Sequence, residues 1–315
     1  MVDINYGATF QSIRLDKNIK LSELAEAGIT ASFIGKFEKG QTRMSVDKFG
    51  RLLDKVNVSY AEFMMIGRGF QDSYFDQQFK EIASAIGSHR SARLKHILAQ
   101  LQRREQIPVA TALLEDFVSA FIFLMSMNPD ISLAIGTQMT ELNHRSLRAQ
   151  HYLEKVDTWG EFEFHVLARF AFMMPADKVL IFARMAVQKA KKYSKAVRSY
   201  DDALSRLLFS LVSPMLYKDL TVMQDMLVMI KSYLLDHLNA ENQMNYLFYE
   251  GMYWIAIGER KKGIAQTDKM IQIAADLAID SQDQSAEESR GWRDAFIKSL
   301  DDDQSQPAWL FSIML

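Results

Sequence analysis

The sequence holds no cysteine. That excludes a disulfide framework and thiolate chemistry, and it fits a reducing compartment. Proline is scarce, with 5 in 315 residues, and glycine numbers only 14. So few breakers, beside much Leu, Ala, Met, Lys, Glu and Gln, favour helix almost throughout. No run of about 20 uninterrupted apolar residues occurs, so no membrane span is expected. The apolar stretch 120–127 reads as a buried helix. Residues 1–10 lack a charged region followed by an apolar run and do not read as a signal peptide. A cytoplasmic protein is the expectation. The net charge is −2, so bulk charge does not attract nucleic acid. DNA binding would need a local basic surface and symmetry.

Several chemistries find no footing. His89, His96, His144, His151, His165 and His237 are scattered, and His144 and His151 stand two turns apart on one expected helix. With no H-E-x-x-H either, no metal site and no cofactor are expected. Gly67-Arg68-Gly69 reads as a linker, not a phosphate-binding turn. Asp201-Asp202 reads as a solvated face. No nucleophile has a plausible base, so an enzyme is not expected.

What is present begins with a compact head. Residues 1–66 read as five short helices. Phe10, Ile13, Leu15, Leu21, Leu24 and Ala25 supply the apolar positions of the first two. Gly28 suits a left-handed turn, and Thr30 suits the N-cap of the third. In Ala31–Lys39, Ile34 and Phe37 share a buried face. Ser32, Phe33 and Lys36 then face outward near the helix start, as in a recognition helix. Ser45 caps a fourth helix, and Ser59-Tyr60-Ala61-Glu62 is a capping box opening a fifth.

The run Thr30-x-Ser32-x-Ile34-x-Lys36-Phe37-Glu38-Lys39-Gly40 resembles the third helix of the Cro/repressor-type helix-turn-helix. With Lys48-Phe49-x-x-Leu52-Leu53-Asp54 and Glu62-Phe63 it is similar to the Rgg (MutR-like) family of regulators. One departure is Gly35, where serine is usual. Glycine inside a helix costs roughly 0.5–1 kcal/mol relative to alanine. Further on, Val156-Asp157-Thr158-Trp159-Gly160-x-Phe162-Glu163 resembles the family's mid-domain motif. Tyr249-Glu250-Gly251-Met252-Tyr253 followed by Gly258 resembles its late helix pair with a small-residue contact. The resemblance spans nearly the whole chain. It implies a transcriptional regulator whose repeat domain binds a short imported signalling peptide, as in quorum sensing. It also implies a homodimer that places two heads on palindromic double-stranded DNA. Lacking cysteine, the heads would dock non-covalently.

From Tyr74 onward the pattern is of amphipathic helices near 74–86, 89–104, 108–127, 131–153, 158–172, 176–192, 195–212, 217–237, 241–257, 260–278 and 286–300. Short loops suit antiparallel pairs. Pro108, Pro175 and Pro214 are expected at or near helix ends. Helix pairs of roughly 34–40 residues in series give a tetratricopeptide-like α-solenoid. The expected architecture is thus all-α: a helix-turn-helix domain at 1–66, a linker at 67–73 and an effector-binding and dimerisation domain at 74–315. The apolar tail Trp309–Leu315 reads as packed on the last helix pair or as a dimer contact.

Two sets of site residues follow. For DNA, Thr30, Ser32, Phe33 and Lys36 are expected at the major groove, with Gln11, Arg14, Lys39 and Arg43 nearer the phosphates. For peptide, alternate helices 158–172, 195–212 and 241–257 carry odd polar residues among apolar ones: His165, Arg169, Arg198, Asp202, Arg206 and Asn245, with Tyr249 and Trp254 as aromatic anchors. An arginine there would clamp a peptide carboxylate. The bland alternatives are a surface ion-pair ladder for 198, 202 and 206 and core positions for the aromatics. Some of the 18 methionines would suit an adaptable groove. A regulator sensing a small molecule, and an effector-independent DNA-binding scaffold, are the other functional readings.

Overall fold

A computed structural model describes residues 4–70, 74–103, 108–127, 138–194, 198–237, 239–278 and 285–301. Among them no strand occurs, only an isolated bridge between Glu26 and Ile29. The tail 309–315 and the beginning of the helix expected at 131 lie outside the described residues. The chain falls into two compact units, Met1–Glu81 and Ile82–Leu315.

The first unit holds α1 (Tyr6–Asp16), α2 (Leu21–Leu24), α3 (Ala31–Glu38), α4 (Val46–Lys55) and α5 (Tyr60–Gly67). Its core is aromatic. Phe49 stands at the centre, with ring centroids 6.2 Å from Phe10, 5.9 Å from Phe37 and 4.9 Å from Phe63. Two of the expected caps form, with Thr30 Oγ1 accepting from Phe33 N and Ser59 Oγ from Glu62 N, whereas Ser45 stands at the N-cap of α4 without a side-chain capping bond. Gly28 takes φ +82°, the left-handed turn between α2 and α3. Gly7 lets α1 touch α3, because a Cβ there would lie 2.1 Å from the Phe37 carbonyl oxygen. Two expected core positions are not core. Leu15 of α1 is 55% exposed, and Ala25 is exposed because the one-turn α2 ends before it at Leu24.

α6 (Tyr74–Gly87) spans the division between the units. The second unit continues with α7 (Ser91–Gln102), α8 (Val109–Met127), α9 (Met139–Lys155) and α10 (Glu161–Phe170), which runs into a 3-10 turn at Ala171–Met173. Then come α11 (Ala176–Ser194), α12 (Arg198–Lys218), α13 (Leu220–Asp236), α14 (Ala240–Ala256), α15 (Arg260–Leu277) and α16 (Ser285–Asp301). From α7 to α10 and again from α11 to α16 consecutive helices pack on one another, and alternate ones adjoin: α10 lies beside α12, α12 beside α14, and α11 beside α13. This is the stacking of a helical-repeat array.

Three details explain or correct the sequence pattern. Trp159 is fully buried, and its indole N–H donates to the Leu153 carbonyl near the end of α9. Glu163 Oε2 accepts from Gly160 N and Oε1 from the Tyr152 hydroxyl. The Trp159-Gly160-x-Phe162-Glu163 motif is therefore the splice between α9 and α10. Pro214 is not at a helix end. It sits inside α12, which runs on to Lys218. Lys218 holds this extension in place, its ammonium donating to the carbonyls of Ala171, Phe172 and Met174. Burial lowers its pKa to about 8. Lastly, the apolar stretch 120–127 belongs to α8, which by length and composition alone is apolar enough to cross a membrane; 44% of that window is buried inside the fold. Phe117 and Phe121 of α8 pack on Phe172, and Phe117 also on Phe170.

Candidate functional site

In the head, α3 exposes its first turn and buries Ile34 and Phe37 behind it. Thr30, Ser32, Lys36, Lys39 and Arg43 are exposed, and Gln11 and Phe33 are half-buried. The Phe33 ring leans on the head core with Lys48 Nζ 5.3 Å above it. Lys48 thus joins the first turn of α3 from α4, a neighbour that no local spacing signals. Gly35 has room for a side chain: a Cβ would meet Leu21 Cδ1 at an ordinary 3.5 Å.

Arg14 does not stand where the sequence reading put it. It is 7% exposed. Its Nε and Nη2 bond both Glu38 carboxylate oxygens, at 2.6 and 2.9 Å, and Nη1 donates to the Ile19 carbonyl at 2.8 Å. The hydrogen bond to Glu38 holds the guanidinium pKa above its ordinary value. With its nitrogens so committed, Arg14 braces α1 against α3 and is withdrawn from the phosphate set.

In the second unit the expected peptide residues separate into groups. Asn245 and Tyr249 lie one turn apart on α14, both half-buried. The Tyr249 ring stacks on Phe209 of α12, at 5.9 Å between centroids and 14° between planes. It also meets Phe248 and Trp292 edge-on. Burial pushes its hydroxyl up to about 12. On α12, Asp202, Arg206, Phe209 and Ser213 follow the i, i+4, i+7, i+11 spacing of one face. Asp202 and Arg206 are exposed at one end of it, and Ser213 is buried at the other. No ion pair joins Asp202 to Arg206 among the described residues, and the side chain of Arg198 lies outside them. On α10, His165 is exposed and Arg169 is half-buried; both already interact within the fold.

Trp254 belongs elsewhere. It is five residues past Tyr249, which turns it away from that stack, and Lys262 of α15 sits over its ring. Its part as an anchor beside Tyr249 is withdrawn. What surrounds Tyr249 instead is buried Phe209 and half-buried Trp292. The sequence pattern gave them no signal, since an aromatic at helical spacing reads as core whichever way it faces.

The family model for the C-terminal domain of the HTH-type transcriptional regulator Rgg matches residues 96–288. The chain belongs to the Rgg family. Among solved structures, this Rgg chain is similar to a protein described as a transcriptional regulator from Listeria monocytogenes EGD-e. The TM-score is 0.71 at 18% identity, covering 95% of this chain and 99% of that one. It is also similar to the SHP pheromone receptor Rgg2 of Streptococcus dysgalactiae (TM-score 0.66, 19% identity, 91% and 99% covered). The PrgX/cCF10 complex matches with a TM-score of 0.61 at 11% identity, covering 91% of this chain and 99% of that one. Identities this low establish a shared fold across nearly the whole Rgg chain.

Proposed function

We propose that this Rgg regulator binds DNA through its head and is switched by a short signalling peptide lying across α10, α12 and α14. Residues 1–66 would serve DNA binding, 67–73 would act as linker and 74–315 would hold effector and dimerisation, with the compact units dividing at Glu81 and Ile82. A cytoplasmic homodimer would set two heads on a palindromic operator, since one head alone offers few phosphate and base contacts. Thr30, Ser32, Phe33 and Lys36 would face the major groove, with Gln11, Lys39, Arg43 and Lys48 toward the backbone.

The observation that carries the peptide reading is the Phe209–Tyr249 stack on adjoining helices. Phe209 lies buried beneath, half-buried Tyr249 and Trp292 form the outer side, and half-buried Asn245 and exposed Arg206 stand one turn away on the same helix faces, a mix of large rings and a few polar groups that peptide anchors use. The fold shared with a pheromone receptor and with a bacterial peptide pheromone/receptor complex supports it. Arg169 and His165 would supply polar contacts at the α10 edge, sharing the interactions they already make.

Titrating fluorescent short hydrophobic peptides against wild type, Tyr249→Ala and Arg169→Ala tests the assignment. Loss of a platform ring should weaken binding at least tenfold, about 1.4 kcal/mol. A peptide that binds wild type and both variants equally would move the site off this face. Binding by no such peptide would favour an effector-independent regulator.

A further inference from the structure

A charged crevice lies between α8 and α9, on residues the peptide reading does not use. Glu141, His144, Arg145 and Arg148 follow the i, i+3, i+4, i+7 spacing of one face of α9. Across from them stand Asp116 and Ser119 of α8, and the six side chains line a cavity of about 390 Å³. Paired helices ordinarily meet through apolar stripes, so this composition asks for a reason.

The ion pairs inside the crevice are single contacts. Arg148 Nε meets Asp116 at 3.3 Å and Arg145 Nη2 meets Glu141 at 2.9 Å. Neither is the parallel two-bond pairing that guanidinium and carboxylate can make. The Arg145 guanidinium lies 4.7 Å from the centroid of the Phe123 ring. Its Nε is buried and finds no acceptor among the described residues. Buried polar atoms without partners are uncommon and costly. Burial also raises the Asp116 carboxyl above the usual range, against the pull of Arg148 and Arg145. The crevice is short of an acceptor for Arg145, and its Asp116 carboxylate is poorly solvated.

Charge decides what fits. Two guanidiniums face two carboxylates. A simple anion would satisfy the arginines and strand Asp116 and Glu141. A simple cation would do the reverse. A zwitterion answers both signs at once. The volume sits at the small end of the roughly 300–1,000 Å³ of ligand pockets. We propose that the α8–α9 crevice is a second ligand site, distinct from the peptide face, for a free α-amino acid or dipeptide in its zwitterionic form. Its carboxylate sits on Arg145 and Arg148, its ammonium on Asp116 and Glu141, with Ser119 and His144 as further hydrogen-bond partners.

The test screens the full chain by thermal shift against the twenty free amino acids and a set of dipeptides at millimolar concentration, then titrates the best by calorimetry. At least one should raise Tm, as any ligand of the native state must. Its N-acetylated form and its C-amidated form should each bind at least tenfold more weakly. Arg145→Gln and Asp116→Asn should lose the same factor, while Arg169→Ala, on the peptide face, keeps full affinity. If either crevice variant unfolds, the blocked ligands on wild type decide by themselves. Stabilisation by no amino acid or dipeptide, equal binding of inorganic phosphate or acetate, or indifference to blocking would overturn the proposal.

Discussion

Arg14 carries a full charge into the head, and Glu38, 24 residues away in sequence, answers it with two bonds. Removing one partner of a buried pair leaves the other uncompensated, at a cost of about 3–5 kcal/mol. Arg14→Ala should therefore melt the head, with loss of its helical signal in circular dichroism well below the wild-type temperature. Exposed Lys36 is the opposite case: Lys36→Ala should leave that melting curve within a degree or two and weaken operator binding instead. A variant Arg14→Ala that stays folded but loses phosphate contacts, seen as a flatter salt slope, would return Arg14 to the DNA surface. From the sequence, Arg14 and Lys36 look alike, as basic residues near a recognition helix. What separates them is a partner on another helix, and no local pattern encodes that. The same limit hid Trp254 under Lys262 and kept Phe209 out of the expected site.

At the scale of elements, the sequence was far more legible. Caps and turns are local chemistry, so Thr30, Ser59 and Gly28 could be read directly. The apolar period placed the helices of both units, though it stopped α12 too early by treating Pro214 as an end. Glycines show where local reading fails. The expected small-residue contact near Gly251 is real, but its partner is Gly263 of α15: a Cβ on Gly263 would lie 2.4 Å from the Gly251 carbonyl oxygen and 2.6 Å from Ile255 Cγ1. Gly258 instead makes the turn between the two helices, at φ +91°. Gly291 in α16 has nothing within 4 Å. Gly263→Ala should force α14 and α15 apart and lower stability by more than 1 kcal/mol, roughly the cost range of overpacking. Gly291→Ala should raise stability by up to about 1 kcal/mol through helix propensity alone. Urea unfolding of both variants checks the pair, and equal shifts of one sign would contradict the packing described for α14 and α15.

For the whole molecule, the central claim is coupling: occupancy of the peptide face changes how the head meets DNA. Two sites on one chain are coupled only if the ligand favours one arrangement over another, and the effect is then reciprocal. The operator can be selected by the protein itself from a pool of random duplex DNA. Its Kd is then measured by fluorescence anisotropy, at fixed salt, with and without a saturating peptide that binds the Phe209–Tyr249 platform. The account predicts a change of at least about fivefold, near the lower end of allosteric coupling, with the same factor in the peptide's Kd when DNA is saturating and none in Tyr249→Ala, which fails to hold the peptide. Superimposable DNA-binding curves in the presence and absence of bound peptide would contradict it.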